Sequence, residues 1–212
     1  GKLISKKENI DGKTHASLLT VFIEGIFKES EYQISDLDAI AVSKGPGSYT
    51  GLRIGVSAAK GIAYAAEIPL ISVSTLQALA FEISKKYSRA DNEKTLFCPM
   101  IDARRMEVYS AFYNSDNEII KEITADIIDE DSYKEFLSGN KLLFFGNGAE
   151  KCKNTITSEK AEFIENIICS AENMVELSEK AFQNSEFEDV AYFEPFYLKN
   201  FIATIPRKNI IG

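Results

Sequence analysis

At 212 residues, 45% hydrophobic and 26% charged, the chain has the composition of an ordinary globular protein, with apolar residues enough for one large core or two small ones. Its net charge of −8 is unevenly placed: residues 1–95 carry 12 basic and 11 acidic side chains, and residues 96–212 carry 12 and 21. An acidic second half excludes a broad nucleic-acid face, because such a surface repels phosphates instead of releasing their counterions. The three cysteines, Cys98, Cys152 and Cys169, are odd in number and widely spaced, with no CxxC pair. That usage suits a reduced compartment, and the thiols are expected to be buried. No apolar run approaches the roughly 18 residues of a membrane span, and no signal-peptide pattern opens the sequence. The expected location is the cytoplasm, with no membrane partner.

Lys2–Glu8 alternates weakly and reads as a strand closed by the turn NIDGK. In THASLLTVFIEGIFKES, Leu18, Leu19, Phe22, Ile23, Ile26 and Phe27 form one apolar stripe at helical spacing, with Thr14 as N-cap. Leu37–Gly45 is a short apolar run, hence a buried strand. A helix from about Gly51 to Glu67, a strand IPLISVS and a helix TLQALAFEISKKYS follow. Strand and helix in alternation imply parallel strands joined by helical crossovers. The polar stretch Arg89–Thr95 has no apolar period and marks a domain boundary, giving domains 1–95 and 96–212. Beyond it, residues 96–120 read as a hairpin pair with SDN as a turn. Met106, Val108, Ser110 and Phe112 there alternate with Glu107, Tyr109, Ala111 and Tyr113. KLLFFGNGAE is a buried strand with a glycine turn, and a helix from Ser170 should point Met174, Leu177 and Phe182 inward. The tail YFEPFYLKN is aromatic and ends in basic residues.

The loop SKGPGSYTGLRIG, Ser43–Gly55, fits neither phosphate fingerprint. A Walker A loop needs four residues between its glycines and then Lys, whereas Gly47 and Gly51 have three residues between them and are followed by Leu52. Gly45, Gly47 and Gly51 give GxGxxxG, one residue longer than the dinucleotide motif. A helix N-terminus behind such a turn still offers free N–H groups to an anion, with Gly45, Gly47, Ser48, Thr50 and Arg53 as the candidates. The helix behind it carries a ridge of small residues, Gly51, Gly55, Ala59 and Ala63, and a second ridge offset by three, Ala58, Ile62, Ala65 and Ala66. Slim ridges let another element approach to near the lower end of the range of about 8–10 Å. Each glycine inside a helix costs about 0.5–1 kcal/mol, so Gly51, Gly55 and Gly61 call for a compensating contact. That contact is either the protein's own sheet or a helix of a partner.

Catalytic parts are scarce. His15 is the single histidine, so no paired-histidine metal site or histidine dyad exists. No GxSxG elbow is present. Asp102 and Glu107 flank Arg104 and Arg105 and read as mutually paired structural charges. Phosphoryl transfer would need a cationic clamp and metal-binding acids that this pattern does not supply.

SKGPGSYTGLRIGVSAAKGIAYAAEIPLISVSTLQALA, MIDARRMEVYSAFY and EPFYLKN together resemble the bacterial TsaB family, also called YeaZ, over almost the whole chain. The resemblance implies an α/β fold of tandem RNase H-like domains, of the actin, Hsp70 and sugar-kinase (ASKHA) superfamily, with mixed sheets flanked by helices. It implies a non-catalytic part in forming N6-threonylcarbamoyladenosine (t6A) at position 37 of ANN-decoding tRNAs. The implied partners are a related catalytic subunit, TsaD, which holds ATP and metal, and the ATPase TsaE. The resemblance further implies a homodimer in isolation and tRNA reached indirectly through the complex. No cofactor is implied for the chain itself; ATP belongs to the cleft between domains or to the partner subunit. The glycoprotease and peptidase M22 labels of the family come from the catalytic sister. Pairing through the first two helices places the partner interface at His15, Leu18, Leu19, Phe22, Gly51, Gly55, Ala58, Ala59, Ile62 and Ala63. Family members open with a strand of the type ILAIDTA, which carries the superfamily's first phosphate motif, and a segment before Gly1 is expected to supply it. The alternative reading is an ATP-binding, kinase-like or glycoprotease-like enzyme of the same superfold.

Overall fold

The apolar run Ala39–Val42 after Asp38, with β-branched Ile40 and Val42, has polar breaks at both ends, which makes it a short strand that can be covered on both faces. In the computed structural model, which describes residues 2–9, 15–87 and 94–199, it forms β1 (Ile40–Gly45). Helix α1 (His15–Glu29) precedes it, and α2 (Tyr49–Ala66) carries the chain to β2 (Leu70–Ser74). β1 and β2 pair in parallel with Ile40 opposite Leu70, so α2 is the expected crossover helix. Helix α3 (Thr75–Tyr87) follows. Thr14 and Arg89–Glu93, expected as a cap and a boundary, lie outside the described residues.

The remaining strands are β3 (Thr95–Asp102), β4 (Glu107–Tyr113), β5 (Ile119–Ile127), β6 (Lys141–Phe145) and β7 (Ala161–Ile164), with the short helix α4 (Lys134–Gly139) before β6. Their order in one sheet is β5-β4-β3-β6-β7. β3, β4 and β5 form an antiparallel meander, whereas β3–β6 and β6–β7 are parallel, giving a mixed sheet. Asn117, in the SDN turn, takes the left-handed conformation with φ 62°.

The alternation in β4 separates two buried faces, not an inside from an outside. Val108 and Phe112 pack with Cys98, Met100 and Phe144 on one face; Ala111 and Tyr113 pack with Leu76, Leu79 and Phe97 under α3 on the other. Cys98 and Cys152 are buried as expected, but Cys169 is exposed.

Two expectations are corrected. Residues 2–9 form no strand. Their charged positions are taken up by side-chain partners: Lys6 pairs with Glu172 at 2.7 Å, Lys7 with Glu29 at 2.6 Å, and Glu8 accepts from Ser170. The segment from Ser170 begins as a 3-10 turn and becomes α5 (Val175–Gln183). There Ala181, Met174 and Leu177 face the core made with Ile71, Val73 and Ala78. Phe182 falls one residue off that stripe, remains 36% exposed, and rests on Phe187 with ring centres 5.8 Å apart.

After α5 the chain returns to the first sheet. The Glu188 N–H donates to the Leu70 carbonyl at 2.8 Å, Val190 and Phe193 pack beside Val56, Ala59 and Ala63, and the Phe196 N–H donates to the Lys44 carbonyl at 2.7 Å.

A polar network sits on the edge of the larger sheet. Asp126 accepts from Ser110 at 2.6 Å, Tyr133 at 2.7 Å, Lys121 at 2.9 Å and Thr124 at 2.7 Å. Burial alone would push this carboxyl up, but the four donors outweigh it and hold it below its ordinary value of 3.8. A depressed carboxyl contributes stability above its unfolded value and loses it as pH falls through the folded one. Asp126→Asn should therefore lower the urea midpoint at neutral pH. Its deficit against the parent protein should shrink once the pH drops below about 3.8. A deficit that stays constant down to that range would show that the ionised network contributes nothing.

Candidate functional site: the glycine loop, cleft and helix groove

The glycine loop answers first to packing. Gly45 has φ 105°, and an added Cβ there would lie 3.0 Å from Leu52 Cδ1 and 3.1 Å from the Phe196 carbonyl oxygen. The turn thus lets the returning tail approach β1. Ser48 caps α2, its Oγ accepting the Gly51 N–H at 3.3 Å, so the helix start is partly satisfied by its own residue. Thr50 is exposed, Gly47 lines a cleft beside it, and Arg53 leaves the loop altogether to lie 4.8 Å over the Tyr49 ring. These anion candidates do not converge on one point.

Helix α1 is unusual for so apolar a segment: Leu18, Leu19, Phe22, Ile23, Ile26 and Phe27 are all only half-buried, and Val21 is 55% exposed. Its closest neighbour is α2, and two hollows open on either side of that pair. A cleft of about 510 Å³ is lined by Leu18, Leu19 and Phe22 of α1, by Gly47, Gly51 and Gly55 of the loop and α2, and by Ile101 and Asn147 at the end of the larger sheet. A groove of about 780 Å³ is lined by Ile23 and Phe27 of α1, by Ala58, Gly61, Ile62 and Ala65 of α2, and by Tyr32 and Ile34.

The small ridge of α2 divides between these surfaces. Ala59 and Ala63, expected at a partner interface, are only 7% and 1% exposed and pack on Val42 and Leu70 of the protein's own sheet. With Val56 they form the i, i+3, i+7 stripe that seats the crossover helix, which leaves no surface for a partner. Gly51 and Gly55 face the cleft, and Ala58 and Ile62 face the groove. The helix starts at His15, whose side chain lies outside the described residues. Nothing in the fold demands glycine along the open faces: a Cβ at Gly61 would meet no atom within 4 Å, and one at Gly55 would meet only Val42 Cγ2, at 3.9 Å.

The polar groups of the cleft are largely engaged. Lys7 pairs with Glu29 at 2.6 Å, Ser43 Oγ and Thr75 Oγ1 are bonded at 2.5 Å, and Asn147 Oδ1 accepts the Asp102 N–H at 3.0 Å. Among the described residues no three His, Cys, Asp or Glu side chains are grouped to hold a metal ion. No helix among them is long and apolar enough to cross a membrane. Asp102 and Glu107 form their ion pairs with Lys151 and Lys199; of the arginines between them, Arg104 meets Asp102 through its backbone N–H at 3.0 Å. Sequence reasoning missed the tail's part in this region. Lys60 Nζ donates to the carbonyls of Ala191 at 3.1 Å and Phe193 at 3.0 Å, and Tyr197 packs on Tyr49 with ring centres 5.0 Å apart. The aromatic and basic composition of the tail was visible, but not its target.

The sequence model of the TsaD family, described as tRNA N6-adenosine threonylcarbamoyltransferase, matches residues 8–207. The mixed sheets flanked by helices are shared with solved YeaZ-like structures. A crystal structure described as an uncharacterized protein with similarity to peptidase YEAZ, from Pseudomonas aeruginosa, superposes with a TM-score of 0.72 at 24% identity, covering 87% of this chain and 84% of that one. Two curated relatives are each named tRNA threonylcarbamoyladenosine biosynthesis protein TsaB. That of Escherichia coli K12 is 31% identical over 90% of this chain and 83% of its own length. That of Bacillus subtilis 168 is 34% identical over 54% of this chain and 47% of its own. The chain belongs to the TsaB (YeaZ) branch of this family.

Proposed function

We propose that the chain is a non-catalytic subunit in t6A biosynthesis, which docks the catalytic sister TsaD through the open face of α1 and α2 and works with TsaE. The observation that carries this reading is the uncovered apolar stripe of α1 beside a groove whose glycines the chain's own packing does not require. An apolar helix face left half-exposed is stabilised by a second helical surface, and small residues on α2 permit the close approach that such packing needs. Two copies of the same face would explain a homodimer in isolation, replaced by a heterodimer when the sister is present. On this reading ATP and metal stay with the sister, tRNA reaches the chain through the assembly, and residues 1–95 and 96–212 act as two domains.

Co-expression with TsaD from the same organism tests it. The two chains should co-purify, and a reaction containing TsaD, TsaE, ATP, tRNA and an activated threonylcarbamoyl donor should form t6A only when this chain is added. Turnover by the isolated chain, or tight calorimetric binding of magnesium ATP to it, would favour a kinase-like enzyme instead.

A further inference from the structure

On the opposite side of α2 from the groove, a run of cations and rings crosses from the first sheet to the second. Arg53 Cζ lies 4.8 Å over the Tyr49 ring, and Tyr49 packs on Tyr197 of the tail at 5.0 Å. Two residues on, Lys199 Nζ lies 5.7 Å over the Tyr109 ring and pairs with Glu107. Glu107 closes the turn that carries Arg104 and Arg105, and Lys151 bridges the same turn by pairing with Asp102 and donating to the Glu107 carbonyl at 2.7 Å. Five cations therefore border two carboxylates, and each of those carboxylates is already matched by a lysine. Arg53, Arg104 and Arg105 are exposed and no guanidinium among them forms an ion pair within the described residues, although Asp102 Oδ1 accepts the Arg104 backbone N–H at 3.0 Å and the Arg104 charge helps to hold that carboxyl down. The arginines of the turn have φ 73° and 49°, a left-handed backbone more natural to glycine. Four of these five cations, all but Arg53, come from the half of the sequence that carries 21 acidic residues against 12 basic ones, so the excess of positive charge is local.

We propose that this ribbon contacts the sugar-phosphate backbone of RNA. Arginines outside ion pairs bind phosphates, and the exposed Tyr197 ring between them offers stacking to an unpaired base, the combination that tracks single-stranded nucleic acid. An acidic protein would use the charges but not the rings. At about 100° per residue, Arg53 and Lys60 lie about 140° to 180° around α2 from Ala58 and Ile62, so RNA and a partner in the groove do not compete. The inference rests on the proposed function for the identity of the RNA as tRNA, and it replaces the expectation of purely indirect contact with one narrow contact.

The test is fluorescence anisotropy of labelled tRNA transcript with the full chain. With three arginines engaged, affinity should fall about 10- to 40-fold between about 50 and 200 mM salt. Arg104→Gly/Arg105→Gly removes two charges while suiting the left-handed turn. It should weaken binding about tenfold at low salt and flatten the salt dependence to about a third. Tyr197→Ala should weaken binding about fivefold without changing that slope. Absence of salt-dependent binding, or binding equal in the double variant and the parent, would overturn the proposal. So would displacement of RNA by polyglutamate at matched charge, which would assign the ribbon to an acidic protein. Pairing with TsaD is measured separately on the same variants, so a chain that pairs but binds no RNA refutes this contact alone.

Discussion

Ile62→Glu should leave the chain folded but unable to pair, whether with a second copy or with TsaD. Ile62 is half-buried in the groove wall and belongs to none of the buried core clusters, so its loss does not open a cavity. A glutamate at that point keeps its hydration in the free protein and loses it once a helix is seated on the groove. Truncations at the centre of interfaces cost about 2 kcal/mol or more, and an unpaired charge there costs further. Association should weaken by at least about 100-fold, which corresponds to about 2.7 kcal/mol. Light scattering after size exclusion should find a monomer, with far-ultraviolet dichroism and Tm near those of the parent. Ala63→Leu provides the contrast, because Ala63 is 1% exposed beneath the same helix. Overpacking there should cost about 1–3 kcal/mol of stability, with no selective effect on pairing. Persistent dimer and heterodimer in Ile62→Glu would refute the docking face.

The helical stripe of α1, the crossover order around α2 and the meander of β3 to β5 were legible because each rests on a local period or turn residue. The division of the small ridge was not. Gly51 to Ala63 is continuous in sequence, but a ridge at i, i+4 inclines across the helix surface, so Gly55 opens on the cleft while Ala59 and Ala63 sit on the sheet. The part of Gly45 was hidden for a different reason. The carbonyl that crowds it belongs to Phe196, far along the chain, and no local pattern announces that approach. Lys2–Glu8 shows the converse failure: an alternation visible in sequence finds ion-pair partners and forms no strand. Of the site, α1 and the groove side of α2 were readable, while the ribbon from Arg53 to Arg105 depends on the tail coming back.

Two glycines, Gly146 in the turn after β6 and Gly61 inside α2, should respond in opposite ways to alanine. Gly146 has φ 98°, and its added Cβ would stand 2.4 Å from the Met100 carbonyl oxygen, which is backbone and has no rotamer by which to move. Its neighbour Gly148 donates to that same carbonyl at 3.0 Å, and Asn147 holds the Asp102 N–H, so the loop after β6 is fastened to the end of β3. Gly146→Ala combines a left-handed residue with a backbone clash, and unfolding free energy should drop by about 2–5 kcal/mol, a large share of the usual total. The same displacement would move Asn147 and Ile101 out of the cleft wall. Gly61 sits inside α2 with nothing within 4 Å of a Cβ, so Gly61→Ala should raise stability by about 0.5–1 kcal/mol. Because Gly61 also lines the groove, the new methyl group should hold an incoming helix away, and pairing should weaken while the urea midpoint rises. Stability and association moving in opposite directions in one variant would locate the use of that glycine in the partner. If both rose together, the groove would have room to spare and the close-approach argument would fail.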